Sequence, residues 1–260
     1  MASGQKGVRT MKGKTKAGLI CAAAAAGVSL AALLEAGRRY EWGPFFWLNF
    51  KEKEREIVKK YDSRERKGEI VFYGASNYRR WEEMEHDMLP YVVQNHGFGG
   101  STDAELMRSA RKLLYPYKPA IVVLQTASND CARMMCRRSR LFEKVLSRKL
   151  RMLETFHKAL PDTYFVVISG VLMPGRRQYD GIIKRINQAV KGVVSRADHV
   201  YYVDAEAMTV DENGRHIKSM FIEDGVHFTH EARMRWADEY IKPMLDKVVS
   251  DHPELQYLKK

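Results

Sequence analysis

Three cysteines in 260 residues are too few for a disulfide-stapled scaffold. Cys21 lies in an apolar run, and Cys131 and Cys136 are spaced either to close a small loop outside the cytoplasm or to stand as two unrelated thiols. Zinc-finger spacing, a glycine-rich phosphate loop and an aromatic RNA-binding signature are all missing. Their absence removes nucleic acid as a partner, although 44 Lys and Arg against 32 Asp and Glu leave a net charge of +12. That charge is most simply a solvated surface, suited to anionic surroundings such as lipid headgroups or wall polymers. Internal repeats are lacking, as is any low-complexity region after residue 36, and no residue set calls for a cofactor. His227 and His230 share one short stretch but have no obvious further ligand cluster, so no metal site is read from them. What is present is enough hydrophobic residue, 45%, for a full core.

Residues 17–34, "AGLICAAAAAGVSLAALL", are uncharged and follow Lys12, Lys14 and Lys16, the order of a signal peptide or signal anchor. Eighteen Ala-rich residues are a short, weakly apolar span. Leu34 stands where a cleavage site needs a small residue, which favours an uncleaved anchor. Trp42, Phe45, Phe46, Trp47 and Phe50 follow, as aromatic residues at a membrane interface would. The expectation is a membrane contact through this segment, and a membrane-anchored or secreted protein whose main domain is extracytoplasmic. The domain reading is 1–36 signal or anchor, 37–68 aromatic and charged linker, 69–250 main domain and 251–260 tail.

From residue 69, β-branched and aromatic runs alternate with stretches of helical periodicity, the α/β pattern. Strands are predicted at 69–73, 91–95, 120–125, 164–169 and 200–204, and helices near 79–89, 102–114, 139–160, 179–197 and 230–249. Unbroken apolar strands suit a parallel sheet buried on both faces. In such sheets ligands bind beyond the carboxyl ends of the strands, so the loops there are where chemistry is sought. They read Gly74-Ala75-Ser76-Asn77, "NHGFGGST", "TASND" and, later, "EDGVHFTHE".

A serine hydroxyl attacks an ester at neutral pH only when a base takes its proton, and an imidazole serves when a third group fixes its tautomer. Ser76, His227 and Asp224 can fill those roles, because a carboxylate three residues before the imidazole reaches its Nδ1 within one local turn. A backbone N–H at Gly100 and the side chain of Asn129 are suitable donors to a developing oxyanion. Each piece alone has a bland reading as a turn or a surface loop. A histidine base implies a rate that rises through a pKa near about 6.5, moved upward by the Asp224 carboxylate.

The stretches "VFYGASN", "NHGFGGST", "VVLQTASND" and "DGVHFT" lie in one order over residues 70–229. In this the chain resembles the SGNH hydrolases, the GDSL esterase and lipase family. The resemblance implies a flavodoxin-like three-layer α/β/α sandwich with a central parallel sheet, here preceded by an N-terminal hydrophobic helix. It implies Ser76 as nucleophile, Asp224 and His227 as the rest of the triad, and an oxyanion hole from the backbone of Ser76 and Gly100 with the Asn129 side chain. Ala75, Ser101 and Ala127 depart from the family pattern at residues that are not catalytic. The implied function is hydrolysis of carboxylic esters, short-acyl or O-acetyl esters of a sugar, wall polymer or lipid, through an acyl-enzyme. An O-acyltransferase using the same triad and a membrane-tethered non-catalytic binding protein are the alternatives. Arg137, Arg138, Arg176 and Arg177, with Arg133 and Arg140, leave the sheet edge that carries Ser76, and so can select an anionic ester substrate.

Overall fold

The strands form where β-branched and aromatic residues are densest: β1 (Ile70–Gly74), β2 (Val93–Asn95), β3 (Ile121–Gln125), β4 (Tyr164–Ile168) and β5 (Val200–Val203). In the computed structural model, which describes residues 46–260, they make one parallel sheet of order β2-β1-β3-β4-β5. One rung runs Val71–Val122–Phe165–Val200, and the last residues of four strands, Gly74, Gln125, Ile168 and Val203, are also in register. β1, β3 and β4 are buried along their whole length, which is why their sequences are apolar without alternation.

Alternate residues serve the two faces of the sheet. Ile70, Phe72, Ile121, Val123, Val166 and Ile168 join one apolar cluster with Trp236, Ile241, Leu245 and Val248. Those four belong to α8 (His230–Trp236), a five-residue π turn (Ala237–Ile241) and α9 (Lys242–Asp251). The continuous helix expected over 230–249 is interrupted because Pro243 has no N–H to give to an α-helical acceptor. The opposite face takes α4 (Asp103–Leu113), α6 (Leu141–Ala159) and α7 (Asp180–Val194). There the Tyr73 ring lies 5.9 Å from that of Phe156, and its hydroxyl donates to Leu106 O at 2.7 Å. The expected helix over 79–89 is two single turns, α2 (Ser76–Arg79) and α3 (Met84–Asp87). Trp81 between them is fully buried and donates Nε1 to Asp87 Oδ2 at 2.7 Å, so the chain bends to bring it inward.

The compact unit runs from Glu52 to Lys260, wider than the 69–250 read from the sequence. In α1 (Phe46–Lys60), Glu54 accepts hydrogen bonds from Ser109 at 2.6 Å and Lys112 at 2.8 Å, so the charged stretch docks on α4. At the other end Leu255 and Leu258 are buried, and Lys259 pairs antiparallel with Tyr91, so residues 251–260 pack as part of the core. The apolar segment 17–34 and its anchor reading lie outside the described residues. No helix among the described residues is long and apolar enough to cross a membrane.

Candidate active site

β1 stops at Gly74 for a steric reason. A Cβ there would stand 2.7 Å from Gln125 O and 2.9 Å from the Tyr78 ring, so only glycine lets the chain turn between β3 and α2. Two residues later Ser76 opens α2, half-buried, with its hydroxyl at the carboxyl edge of the sheet. Facing it is a loop closed on itself around Asp224. Asp224 Oδ1 accepts from the N–H groups of Val226 at 2.8 Å and His227 at 2.9 Å, and Oδ2 lies 2.5 Å from His227 Nδ1. Gly225 allows this loop at φ +64°. Phe228, fully buried, and Thr229, whose hydroxyl accepts from Ala232 N at 3.2 Å, fix the loop to the core and to α8. His227 Nε2 then meets Ser76 Oγ at 2.8 Å, across 151 residues of sequence. The expected Asp224, His227 and Ser76 thus form one hydrogen-bonded line.

Burial lowers the His227 pKa below its ordinary value, with Arg80 and Arg176 adding to the shift, and together these outweigh the Asp224 carboxylate. The upward shift expected from the Asp224 carboxylate alone is therefore reversed. For Asp224, partial burial pushes the carboxyl up, but hydrogen bonds from His227 and the Val226 N–H hold it below the usual range.

On the other side, Asn129 is the second residue of α5 (Ser128–Arg133) and only 7% exposed. Its Nδ2 donates to Ser101 O at 3.0 Å, and its Oδ1 accepts from Arg176 Nη1 at 2.8 Å. Asn129 and Ser76 line one narrow cleft with Ala75, Ser101, Ala127 and Met173, which admits little more than a water-sized group. Gly100 adopts φ +70° beside it, and its carbonyl accepts from Arg133 at 2.6 Å. Ala127, at φ +108°, holds the residue preceding α5 in a conformation that glycine takes without strain. That is the position where the sequence departs from the family's glycine.

Beneath Asn129 is a charge cluster with no signal in the sequence. Asp103, Asp130 and Lys149 are each no more than 5% exposed. Asp130 accepts from Asp103 N at 3.0 Å and pairs with Arg148 at 3.2 Å, while Lys149 lies 3.5 Å from Asp103 and bonds Thr126. Burial, then the Asp103 charge, raises the Asp130 pKa.

The arginines do not act as one set. Arg176 enters the site, bonding Ser128 and Asn129. Arg138 donates to Gln178 O and lies over the Tyr179 ring, 5.6 Å from its centroid. Arg133 pairs with Glu105 at 2.8 Å. Arg137, Arg140 and Arg177 are exposed. Cys131 and Cys136 are unbonded thiols in this structure, and burial pushes the Cys131 thiol up to about 12. His230 lies away from the Asp224–His227–Ser76 line, 4.0 Å from Asp87 and close to Glu83.

The sequence pattern of the GDSL-like lipase/acylhydrolase family matches residues 61–233, and the chain belongs to that family. It is an ester hydrolase by class. Among solved structures, a protein from Streptococcus pneumonia provisionally described as a platelet activating factor superposes with TM-score 0.64 at 17% identity, covering 86% of this chain and 99% of that one. A provisionally described acylhydrolase from Bacteroides fragilis gives 0.62 at 20%, covering 78% and 98%. A GDSL-like lipase from Bacteroides thetaiotaomicron gives 0.57 at 21%, covering 77% and 98%. These likenesses show the SGNH fold, with its five-stranded parallel sheet between helices. No curated protein sequence matches the chain.

Proposed function

We propose that the protein hydrolyses carboxylic esters of small acyl groups through an acyl-enzyme on Ser76. The observation that carries this reading is the unbroken line Asp224–His227–Ser76, at 2.5 and 2.8 Å. His227 Nε2 accepts the Ser76 proton as Oγ attacks the ester carbonyl, and Asp224 holds Nδ1–H and balances the imidazolium. The oxyanion that forms is met by the N–H groups of Ser76 and Gly100 and by the Asn129 amide. The imidazolium then protonates the departing alcohol, and water activated by the same imidazole releases the acid. The narrowness of the cleft and its small Ala75 and Ala127 walls suit a short acyl group. Half-burial of Ser76 and exposure of Asp224 leave the acyl-enzyme open to water, which supports hydrolysis over transfer to another alcohol. The alcohol part, whether sugar, polymer or lipid, sits outside the cleft. The apolar segment 17–34 is proposed to tether or export the enzyme.

A fluorophosphonate probe followed by peptide mapping tests the reading. The expected label is on Ser76. A preparation that hydrolyses esters but carries its label on another residue, or none, overturns it.

A further inference from the structure

Arg176 is partly buried inside the site, and no carboxylate among the described residues makes an ion pair with it. Withdrawing a guanidinium from water is costly, and its hydrogen bonds must offset that cost. One of its nitrogens, Nη1, donates to Ser128 Oγ at 2.9 Å and to Asn129 Oδ1 at 2.8 Å. Guanidinium nitrogens only donate and a backbone carbonyl only accepts. Turned by 180°, the Asn129 amide would set its NH₂ against Arg176 and its oxygen against Ser101 O, two repulsive contacts in place of two hydrogen bonds. In the observed orientation Nδ2 spends one N–H on Ser101 O at 3.0 Å, and its second remains for the cleft that Asn129 shares with Ser76. The turn carrying Arg176 is itself tightly seated. A Cβ on Gly175 would come within 2.5 Å of Asp224 O, and Gly175 N donates to Gly225 O at 2.9 Å, so the turn carrying Arg176 packs directly on the loop carrying His227.

We infer that Arg176 is a positioning residue for ester hydrolysis: it locks the Asn129 amide with an N–H toward the oxyanion and fixes a positive charge beside it. This rests on the mechanism proposed above. It departs from the reading of Arg176 as a group that selects anionic substrates, since the bonded nitrogen faces protein and not solvent. The charged groups acting on His227 are Asp224 in its own loop, Arg80 after α2 and Arg176. Removal of the Arg176 charge therefore also favours the imidazolium.

The test uses the full chain, a neutral water-soluble acetyl ester, and three variants. Arg176→Ala should lower kcat by about 10²-fold, the size of a lost oxyanion donor, with KM within about threefold. Arg176→Gln keeps a donor without the charge and Arg176→Lys keeps the charge, so each should recover part of kcat. The acid limb of the pH–rate profile should move to higher pH in Arg176→Ala and Arg176→Gln, and stay in place in Arg176→Lys. Arg176→Ala with kcat within about twofold of wild type overturns the inference. So does a loss that neither Gln nor Lys lessens and that leaves the acid limb unmoved, which marks a purely structural arginine. If Arg176→Ala does not fold, the Gln and Lys variants carry the same comparison. Ser76→Ala measured alongside separates the two levels: activity surviving there defeats the proposed mechanism, whereas a dead Ser76→Ala with wild-type-like Arg176 variants defeats only this inference.

Discussion

The base side of the site and its amide side are built on opposite terms. Asp224 and His227 lie within four residues, the Asp224 side chain is 40% exposed, and backbone N–H groups of the same loop hold its carboxylate. Asn129 is almost wholly buried, is held by Ser101 and by Arg176 from 47 residues away, and rests above the charges of Asp103, Asp130 and Lys149. A site half local and half long-range separates chemistry from stability unevenly. Changes on the base side should cost activity with little effect on folding, whereas changes on the amide side should cost both.

The largest effect expected breaks the comparison on its base side. Ser76→Ala should lower kcat on a short activated ester by about 10⁴-fold or more, and Asp224→Asn by about 10³- to 10⁴-fold, each with a melting temperature close to wild type. A purified Ser76→Ala that keeps most of its activity refutes the nucleophile.

The amide side is broken from below. Lys149→Met takes from the buried Asp103 carboxylate the cation 3.5 Å away, while Arg148 still pairs with Asp130, and should destabilise the fold by about 3 kcal/mol, measured from the denaturant midpoint. An unchanged midpoint would mean that buried Asp103 does not depend on Lys149.

A pH profile sharpens the base side. In the proposed mechanism His227 accepts the serine proton only when neutral, and its pKa is lowered in the fold, chiefly by burial. The unprotonated form is thus the major one down to below the ordinary pKa, so kcat/KM should rise with pH to a midpoint under about 6.5 and then stay level through neutrality. A midpoint above that value would show that Asp224 outweighs burial and the two arginines.

The smallest effect concerns the exposed rim. If Arg137 and Arg177 attract an anionic ester, their joint replacement by Ala should raise KM for it by about two- to fivefold at low salt, and leave a matched neutral ester unaffected. Equal KM changes for both esters would remove the rim from substrate choice.

Much of the fold is legible in the sequence for one reason. Strands buried on both faces are made of uninterrupted apolar residues, so "IVFYG", "IVVLQ" and "YFVVI" announce themselves within a residue or two. The elements misread are those whose ends depend on distant partners. Trp81 breaks the helix expected over 79–89 by turning into the core, and Pro243 forces the π turn in the one expected over 230–249. The charged residues 52–60 look like a linker until Glu54 is seen bonded to Ser109 and Lys112.

Within the site, the sequence by itself determined the strand that ends at Gly74, the serine two residues on, and the Asp-x-x-His spacing, because each is a local matter of sterics or of one turn. Gly100 and Asn129 are readable as donors of a type suited to an oxyanion, and the family resemblance sets their blocks in one order with Ser76 and His227. Only the tertiary structure decided that Nε2 of His227 reaches Ser76, that burial and two arginines set the direction of the imidazole's pKa shift, and that Arg176 faces Asn129 while Arg137 and Arg177 face water. The physical reason is that a charge's effect depends on distance and on the water around it, and neither is written in the order of residues.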